Sequence, residues 1–318
     1  MKAFVFPGQG SQSVGMGQAL AEAFPEARAT FDEADQVLGW RLSELIFKGP
    51  VERLTLTENT QPAILTVSVA AWRVLDARGF RPDVVAGHSL GEYSAHVAAG
   101  TLEFADAVRL VHHRGRYMQE AVPVGHGAMA AILGLDEDAV RAACEEAAQG
   151  EVVSPANLNA AGQIVIAGTA AAVARAGERA TARGAKRVIP LQVSAPFHCA
   201  LMAPAEARLA PELRAVPVRD PRVPVVANVD ATPKLDAQAA VAALIGQVSA
   251  PVRWDATLRR LASDGVSAYV EVGPGTVLSG LIRKVARDAT VLNLEQPVGL
   301  AAIEALFGAG AVRTSDPS

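Results

Sequence analysis

The apolar run Val84-Val85-Ala86 ends abruptly in Gly87-His88-Ser89-Leu90-Gly91, and a helical pattern follows from Leu90 to Ala99, closed by Gly100. Few folds accommodate this order. A buried strand must turn sharply into a helix, which suits a largely parallel α/β sheet whose loops gather at one end. The glycines keep side chains out of the turn, so Ser89 can stand exposed at a helix N-terminus. There the Leu90 amide and the helix dipole would face an oxyanion on any acyl group attached to Ser89. The G-x-S-x-G sequence has the context of a nucleophile elbow, although an ordinary strand-to-helix turn carrying a serine would fit the same five residues.

The rest of the chain repeats the alternation. Residues 2–6 read as a buried strand, and Ile64, Val67, Ala71, Val74 and Leu75 fall on one helical face, with Pro62 in the first turn and Gly79 past the end. Between His126 and Val193 the pattern becomes β-α-β-β-α-β, running from a strand at Ala128–Leu133 to one at Lys186–Val193, the order of a ferredoxin-like unit. The expected organisation is a large α/β domain over residues 1–125 and 194–318, interrupted by a small ferredoxin-like subdomain over 126–193. Ala311–Ser318 reads as a loose tail.

Composition narrows the function. Half of the 318 residues are hydrophobic and 19% are charged, which excludes a disordered chain. A net charge of −4 supplies no global field for a phosphate backbone, so no nucleic-acid partner is expected. The uncharged stretch Val152–Ala174 is long enough to span a bilayer, but Ser154, Pro155, Asn157, Asn159 and Gln163 make it strands and a turn instead, so no membrane partner is expected. The N-terminal apolar run breaks at Pro7, too early for an export signal, and two distant cysteines suit a reducing cytoplasm. No His, Cys or carboxylate cluster has metal-ligand spacing.

A serine nucleophile needs a base, and six histidines compete. His88 abuts Ser89 but points away on a sharp turn, His96 lies two helical turns on, His112 and His113 sit on a helix, and His126 stands at a domain junction. His198 occupies Ser194-Ala195-Pro196-Phe197-His198-Cys199, a loop following the small subdomain, where functional residues are common. It is the preferred candidate, against a histidine merely hydrogen-bonded in the crossing. Cys199 is a rival nucleophile, but neighbouring residues rarely converge on one reacting atom.

The helix from Phe104 to Met118 can be read by angle. At about 100° per residue from Phe104, Arg114 lands near 280°, between Leu110 and Ala107 on the apolar arc, while Arg109 and Arg116 land near 140° and 120° on the polar side. A guanidinium inside an apolar arc must find an anion or a set of carbonyls. Either it makes a structural salt bridge or it awaits a carboxylate ligand. The loop Pro7-Gly8-Gln9-Gly10-Ser11-Gln12 fits neither the dinucleotide nor the P-loop template; its glycines permit the close backbone approach of an oxyanion-hole loop or a plain strand-end turn.

Together these segments resemble the malonyl-CoA:acyl carrier protein transacylase family. The resemblance is carried by Pro7–Gln12, Gly87–Tyr93, Arg114-Gly115 with Met118-Gln119, Phe197-His198-Cys199, Gln247 with Pro251–Trp254, and Glu271–Gly275, in the family's order. It implies an α/β fold, with an α/β-hydrolase-like parallel-sheet core and an inserted ferredoxin-like subdomain. By the same resemblance Ser89 would be the acylated nucleophile and His198 its base, oriented by the backbone carbonyl of Gln247. The amides of Gln9 and Leu90 would form the oxyanion hole, Arg114 would pair with the malonyl carboxylate, and Phe197 would favour malonyl over methylmalonyl. The expected partners are malonyl-CoA and acyl carrier protein. No cofactor is expected, coenzyme A thioester being a substrate, and the chain would act as a monomer in fatty acid synthesis.

Two other readings share these residues. A serine thioesterase or esterase would use the elbow and a histidine with an intervening Asp or Glu, and would have no use for Arg114 in a neutral ester pocket. A non-catalytic scaffold would lack the nucleophile or the base.

Overall fold

Strand β1 (Lys2–Phe6) lies near the middle of the larger sheet and fixes where the loops meet. The remaining strands are β2 (Val84–Gly87), β3 (Gly127–Leu133), β4 (Val153–Ala160), β5 (Gln163–Thr169), β6 (Arg187–Pro190), β7 (Val225–Val226), β8 (Pro233–Lys234), β9 (Ala268–Val272) and β10 (Thr290–Leu294). The computed structural model describes residues 1–193 and 195–308; the tail expected over Ala311–Ser318, and Ser194, where the return to the large domain is expected, lie outside the described residues.

The larger sheet has the order β10-β9-β1-β2-β7-β8, parallel except for the short β7/β8 pair. Register places Phe6 beside Gly87 and Val5 beside Glu271, so the loops leaving β1, β2 and β9 emerge together at the carboxyl ends of their strands. The strands flanking β1 come from distant parts of the chain, and such a switch point opens a crevice. Both faces are covered, as a parallel sheet requires. Phe4, Phe6, Val85 and Val270 face the core shared with the helices Thr57–Ala77, Gly91–Ala98 and Phe104–Glu120, while Ala3, Val5, Ala86 and Tyr269 pack with Trp254, Leu258 and Ile282 on the other side.

The second sheet, β4-β5-β3-β6, is antiparallel throughout and carries the helices Glu137–Ala148 and Ala170–Ala182, a ferredoxin-like arrangement. It is tied to the larger sheet's loops by backbone bonds, from Leu158 N to the Val252 carbonyl and from Val252 N to the Ala156 carbonyl, each 2.9 Å. The uncharged Val152–Ala174 stretch is the β4/β5 hairpin and the start of a helix. No helix among the described residues is long and apolar enough to cross a membrane.

Two local expectations need correction. The helix placed around Ile64–Leu75 begins at Thr57, so Pro62 lies in its interior. Proline lacks the N–H that would bond the Glu58 carbonyl one turn back, and His112 Nδ1 takes that acceptor instead at 2.9 Å. The strand expected to reach Val193 stops at Pro190; Leu191 N still donates to the Met129 carbonyl at 3.0 Å, and Leu191, Gln192 and Val193 line a cavity.

The elbow is pressed against β1. A Cβ on Gly91 would sit 2.1 Å from the Phe6 carbonyl oxygen, whereas a Cβ on Gly280, in the helix Val277–Val285, would meet nothing within 4 Å. Gly91→Ala is therefore expected to lose about 3 kcal/mol or more of unfolding free energy in urea, and Gly280→Ala to gain about 0.5 kcal/mol. Similar tolerance at the two positions would contradict this packing.

Candidate active site

Ser89 sits between the end of β2 and the helix Gly91–Ala98 with φ 52°, a left-handed conformation unusual for a residue with a side chain. Asn228, just beyond β7, holds it there. Its Oδ1 accepts the Ser89 N–H at 2.7 Å, and its Nδ2 donates to the Gly87 carbonyl at 2.7 Å. One amide side chain thus braces both sides of the turn, offsetting a backbone cost of roughly 1–3 kcal/mol.

Of the six histidines, His198 is the one that reaches the serine among the described residues. Its Nε2 lies 2.7 Å from Ser89 Oγ and its Nδ1 3.0 Å from the Gln247 backbone carbonyl. A carbonyl can only accept, so Nδ1 carries the hydrogen. Burial, reinforced by the Arg114 charge, pushes the imidazole down to about 3, so the ring is neutral near pH 7. Nε2 then offers its lone pair to the Ser89 hydroxyl, as a general base must. His198 also has positive φ, at 59°.

The other histidines are engaged or remote. His88 Nε2 meets Asn159 Oδ1 at 2.8 Å, linking the elbow to β4. His112 bonds the Glu58 carbonyl, His113 pairs with Glu212 at 2.6 Å, and His96 is fully buried in its own helix, pushed down to about 3 by burial. His126 is exposed. The Cys199 thiol donates to the Pro196 carbonyl at 3.2 Å, and burial pushes it up to about 11, which suppresses the thiolate.

Arg114 is 1% exposed, as its angular position implied. Its Nη1 donates to Gln61 Oε1 at 2.7 Å, and its Nη2 donates to Gln247 Oε1 at 2.8 Å and to Ser89 Oγ at 3.3 Å. Tyr93 turns its ring toward the guanidinium, whose carbon lies 5.6 Å from the ring centroid. These partners carry no formal charge, and among the described residues no carboxylate forms an ion pair with Arg114. Among the described residues the Nε–H meets no hydrogen-bond acceptor. Burial pushes the guanidinium below its ordinary value, yet an arginine stays protonated, so a buried cation faces the Ser89 hydroxyl without a counter-ion in contact among the described residues.

A cavity of about 310 Å³ opens onto these groups, lined among others by Gln9, Ser89, Arg114, Met129, Phe197 and His198. Gln9 enters on the loop after β1, its side chain donating to Thr57 Oγ1 at 3.3 Å, and Leu90 is the buried residue before the helix. Neither backbone N–H, of Gln9 or of Leu90, makes a hydrogen bond among the described residues. Phe197 is 8% exposed on the cavity wall. Met129 on β3 and Leu191–Val193 after β6 line the facing wall, so the smaller sheet closes the cleft.

Sequence reasoning missed three polar groups and one function of a fourth. Gln61 holds Arg114 from a neighbouring helix. Asn228 braces the elbow, and the Gln247 side chain, not just its backbone, contacts Arg114. Glu92, fully buried, accepts from Asn228 N at 3.0 Å and from Gln247 Nε2 at 2.8 Å. No sequence pattern pointed to Glu92: its helix also carries Ser94 and His96, and its burial on every side is visible only in the fold.

A family model for the acyl transferase domain matches residues 3–302. A malonyl CoA-acyl carrier protein transacylase of Escherichia coli is 52% identical over 301 residues, covering 94% of this chain and 97% of that protein. The crystal structure of an acyl carrier protein S-malonyltransferase from Vibrio cholerae superposes with a TM-score of 0.93 at 48% identity, over 95% of this chain and 99% of that one. A malonyl-transacylase solved in complex with a type II PKS acyl-carrier protein gives 0.93 at 49% identity, over 96% and 99%.

Burial pushes the Glu92 carboxyl from 4.5 up to about 7, against the opposing pull of the Gln247 and Asn228 hydrogen bonds and the Arg114 charge. The folded protein therefore keeps a proton that the unfolded chain has shed. This contribution to stability is fully present below pH 4.5 and is lost as pH rises through about 7. Glu92→Gln should flatten the fall in melting temperature between about pH 5 and 8; a slope unchanged from the parent would contradict the assignment.

Proposed function

Because the chain belongs to the acyl transferase domain family, we propose that it is a malonyl-CoA:acyl carrier protein S-malonyltransferase working through a malonyl ester on Ser89. The observation that carries the reading is the buried, carboxylate-free Arg114 within 3.3 Å of the oxygen that His198 is placed to activate.

Malonyl-CoA would enter the cavity with its free carboxylate against Arg114. Ser89 Oγ attacks the thioester carbonyl while its proton passes to His198 Nε2, whose developing charge is stabilised through Nδ1–H by the Gln247 carbonyl. The tetrahedral oxyanion falls to the amides of Gln9 and Leu90, each worth about 10²–10³ in rate in comparable sites. Collapse breaks the C–S bond, and the imidazolium returns its proton to the departing coenzyme A thiolate. The phosphopantetheine thiol of acyl carrier protein then attacks the malonyl ester by the same steps, again using His198 as base and then acid, and Ser89 is restored. Ping-pong kinetics follow.

Arg114 sets the selectivity. A carboxylate can accept charge-assisted bonds from the guanidinium at roughly 1.5–3 kcal/mol each, and an acetyl donor leaves them unmade. Phe197, on the cavity wall, would limit room for a branched methylmalonyl group. The esterase reading has less support: Nδ1 of His198 faces a carbonyl rather than a carboxylate, and a cation beside the serine serves no neutral ester.

The malonyl carrier would supply fatty acid synthesis in the cytoplasm, a setting supported by two buried cysteine thiols left unpaired. Nucleophile, base and cation all come from one chain, which supports action as a monomer, and Ser–His chemistry requires no cofactor.

Brief mixing with malonyl-CoA followed by mass spectrometry should give a malonyl adduct on Ser89 that persists until acyl carrier protein is added; prompt release of free malonate with no adduct would contradict the reading. Arg114→Ala should lower malonyl transfer by about a hundredfold or more while acetyl transfer is kept or raised. Equal loss with both donors would remove Arg114 from its assigned role.

A further inference from the structure

The mechanism uses the Gln247 backbone, but the side chain of the same residue lies at the crossing of three contacts. Its Oε1 accepts from Arg114 Nη2 at 2.8 Å, and its Nε2 donates both to the Ser89 carbonyl at 2.8 Å and to Glu92 Oε2 at 2.8 Å. A terminal amide can flip end for end at little intrinsic cost, and a flip here would aim an NH₂ group at the guanidinium. Something must hold it. Ser89 offers one acceptor, already committed to the helix turn through Glu92 N at 3.0 Å. Glu92 offers the other: its Oε2 accepts whether the buried carboxyl is ionised or carries its proton on the opposite oxygen. Its Oε2 is itself fixed by the Asn228 amide at 3.0 Å, on the residue that braces the elbow.

We propose that Glu92 is a positioning residue for acyl selection: by accepting from Gln247 Nε2 it locks the amide so that Oε1 holds Arg114 aimed at the Ser89-bound acyl group. Glu92 touches neither the acyl group nor the reacting atoms in this account. It acts through Gln247, and the inference rests on the malonyl-transfer reading for the identity of that group. The same lock steadies the Gln247 backbone that orients His198. Among the described residues the remaining oxygen, Glu92 Oε1, has no hydrogen-bond partner, so one carboxyl oxygen suffices for the lock. Glutamine can supply it; alanine cannot.

The test compares Glu92→Ala with Glu92→Gln, reading the ratio of Ser89 acylation rates with malonyl-CoA and acetyl-CoA. Loss of the lock should lower that ratio by about tenfold or more in Glu92→Ala, the effect of misplacing a charge-assisted hydrogen bond, and Glu92→Gln should keep it within about threefold of the parent. A purely structural Glu92 would lower the melting temperature and leave the ratio unchanged, which would overturn the proposal, as would a Glu92→Gln protein as impaired as Glu92→Ala. Should Glu92→Ala not fold, Glu92→Asp withdraws the acceptor by one methylene and must shift the ratio the same way; an unchanged ratio overturns the proposal. Labelling of Ser89 by an uncharged fluorophosphonate separates the two claims. If the parent shows no malonyl preference the transfer reading fails, and the Glu92 account then stands or falls on slower labelling in Glu92→Ala than in Glu92→Gln.

Discussion

A guanidinium buried at 1% exposure and held by the amide oxygens of Gln61 and Gln247 is the costly feature around which the site is arranged. Moving a cation from water into a protein interior costs several kcal/mol unless an anion or a full set of acceptors compensates. Neutral amides compensate in part and leave the charge in place. The result is a cation that a carboxylate ligand can satisfy, set beside a hydroxyl that a neutral imidazole can deprotonate. An internal acid in direct contact would have satisfied Arg114 already. Instead the nearest acid partner in its network, Glu92, is reached through Gln247.

The sheet explains how residues so distant in sequence converge. Because β1 pairs with β2 on one side and β9 on the other, the loop after β1, the elbow after β2 and the Glu271–Gly275 turn share one edge. The β7 end brings Asn228 to the elbow, and the segment after the helix Ala237–Gly246 brings Gln247. The smaller sheet, bonded to that same segment through Val252, forms the opposite wall of the cavity. Strain at Ser89 and His198, both with positive φ, is tolerated because neighbouring hydrogen bonds over-determine each turn.

Sequence patterns disclosed whatever depended on local periodicity or turn chemistry. The strand-elbow-helix order around Ser89 and the angular position of Arg114 are of this kind, because 3.6-residue periodicity is a property of one helix. His198 could be preferred but not singled out from sequence alone, since its contact with Ser89 spans 109 positions and depends on how two sheets pack. The network of Gln61, Glu92, Asn228 and the Gln247 side chain was not legible at all. Which way a buried amide points is decided by its partners, and those come from four different elements. Pro62 was misplaced for a related reason: the local rule puts proline in a first turn, and a distant histidine, His112, satisfies the carbonyl that its interior position leaves open.

The central claim is that a negative charge on the acyl group, rather than its size, brings it to Ser89. Comparing Ser89 acylation by malonyl-CoA and by its terminal carboxamide isostere, matched in shape but neutral, tests this most directly in a single-turnover measurement. The account predicts that the acid reacts faster by about a hundredfold or more, the size of two charge-assisted hydrogen bonds. Equal rates for the two donors would contradict it.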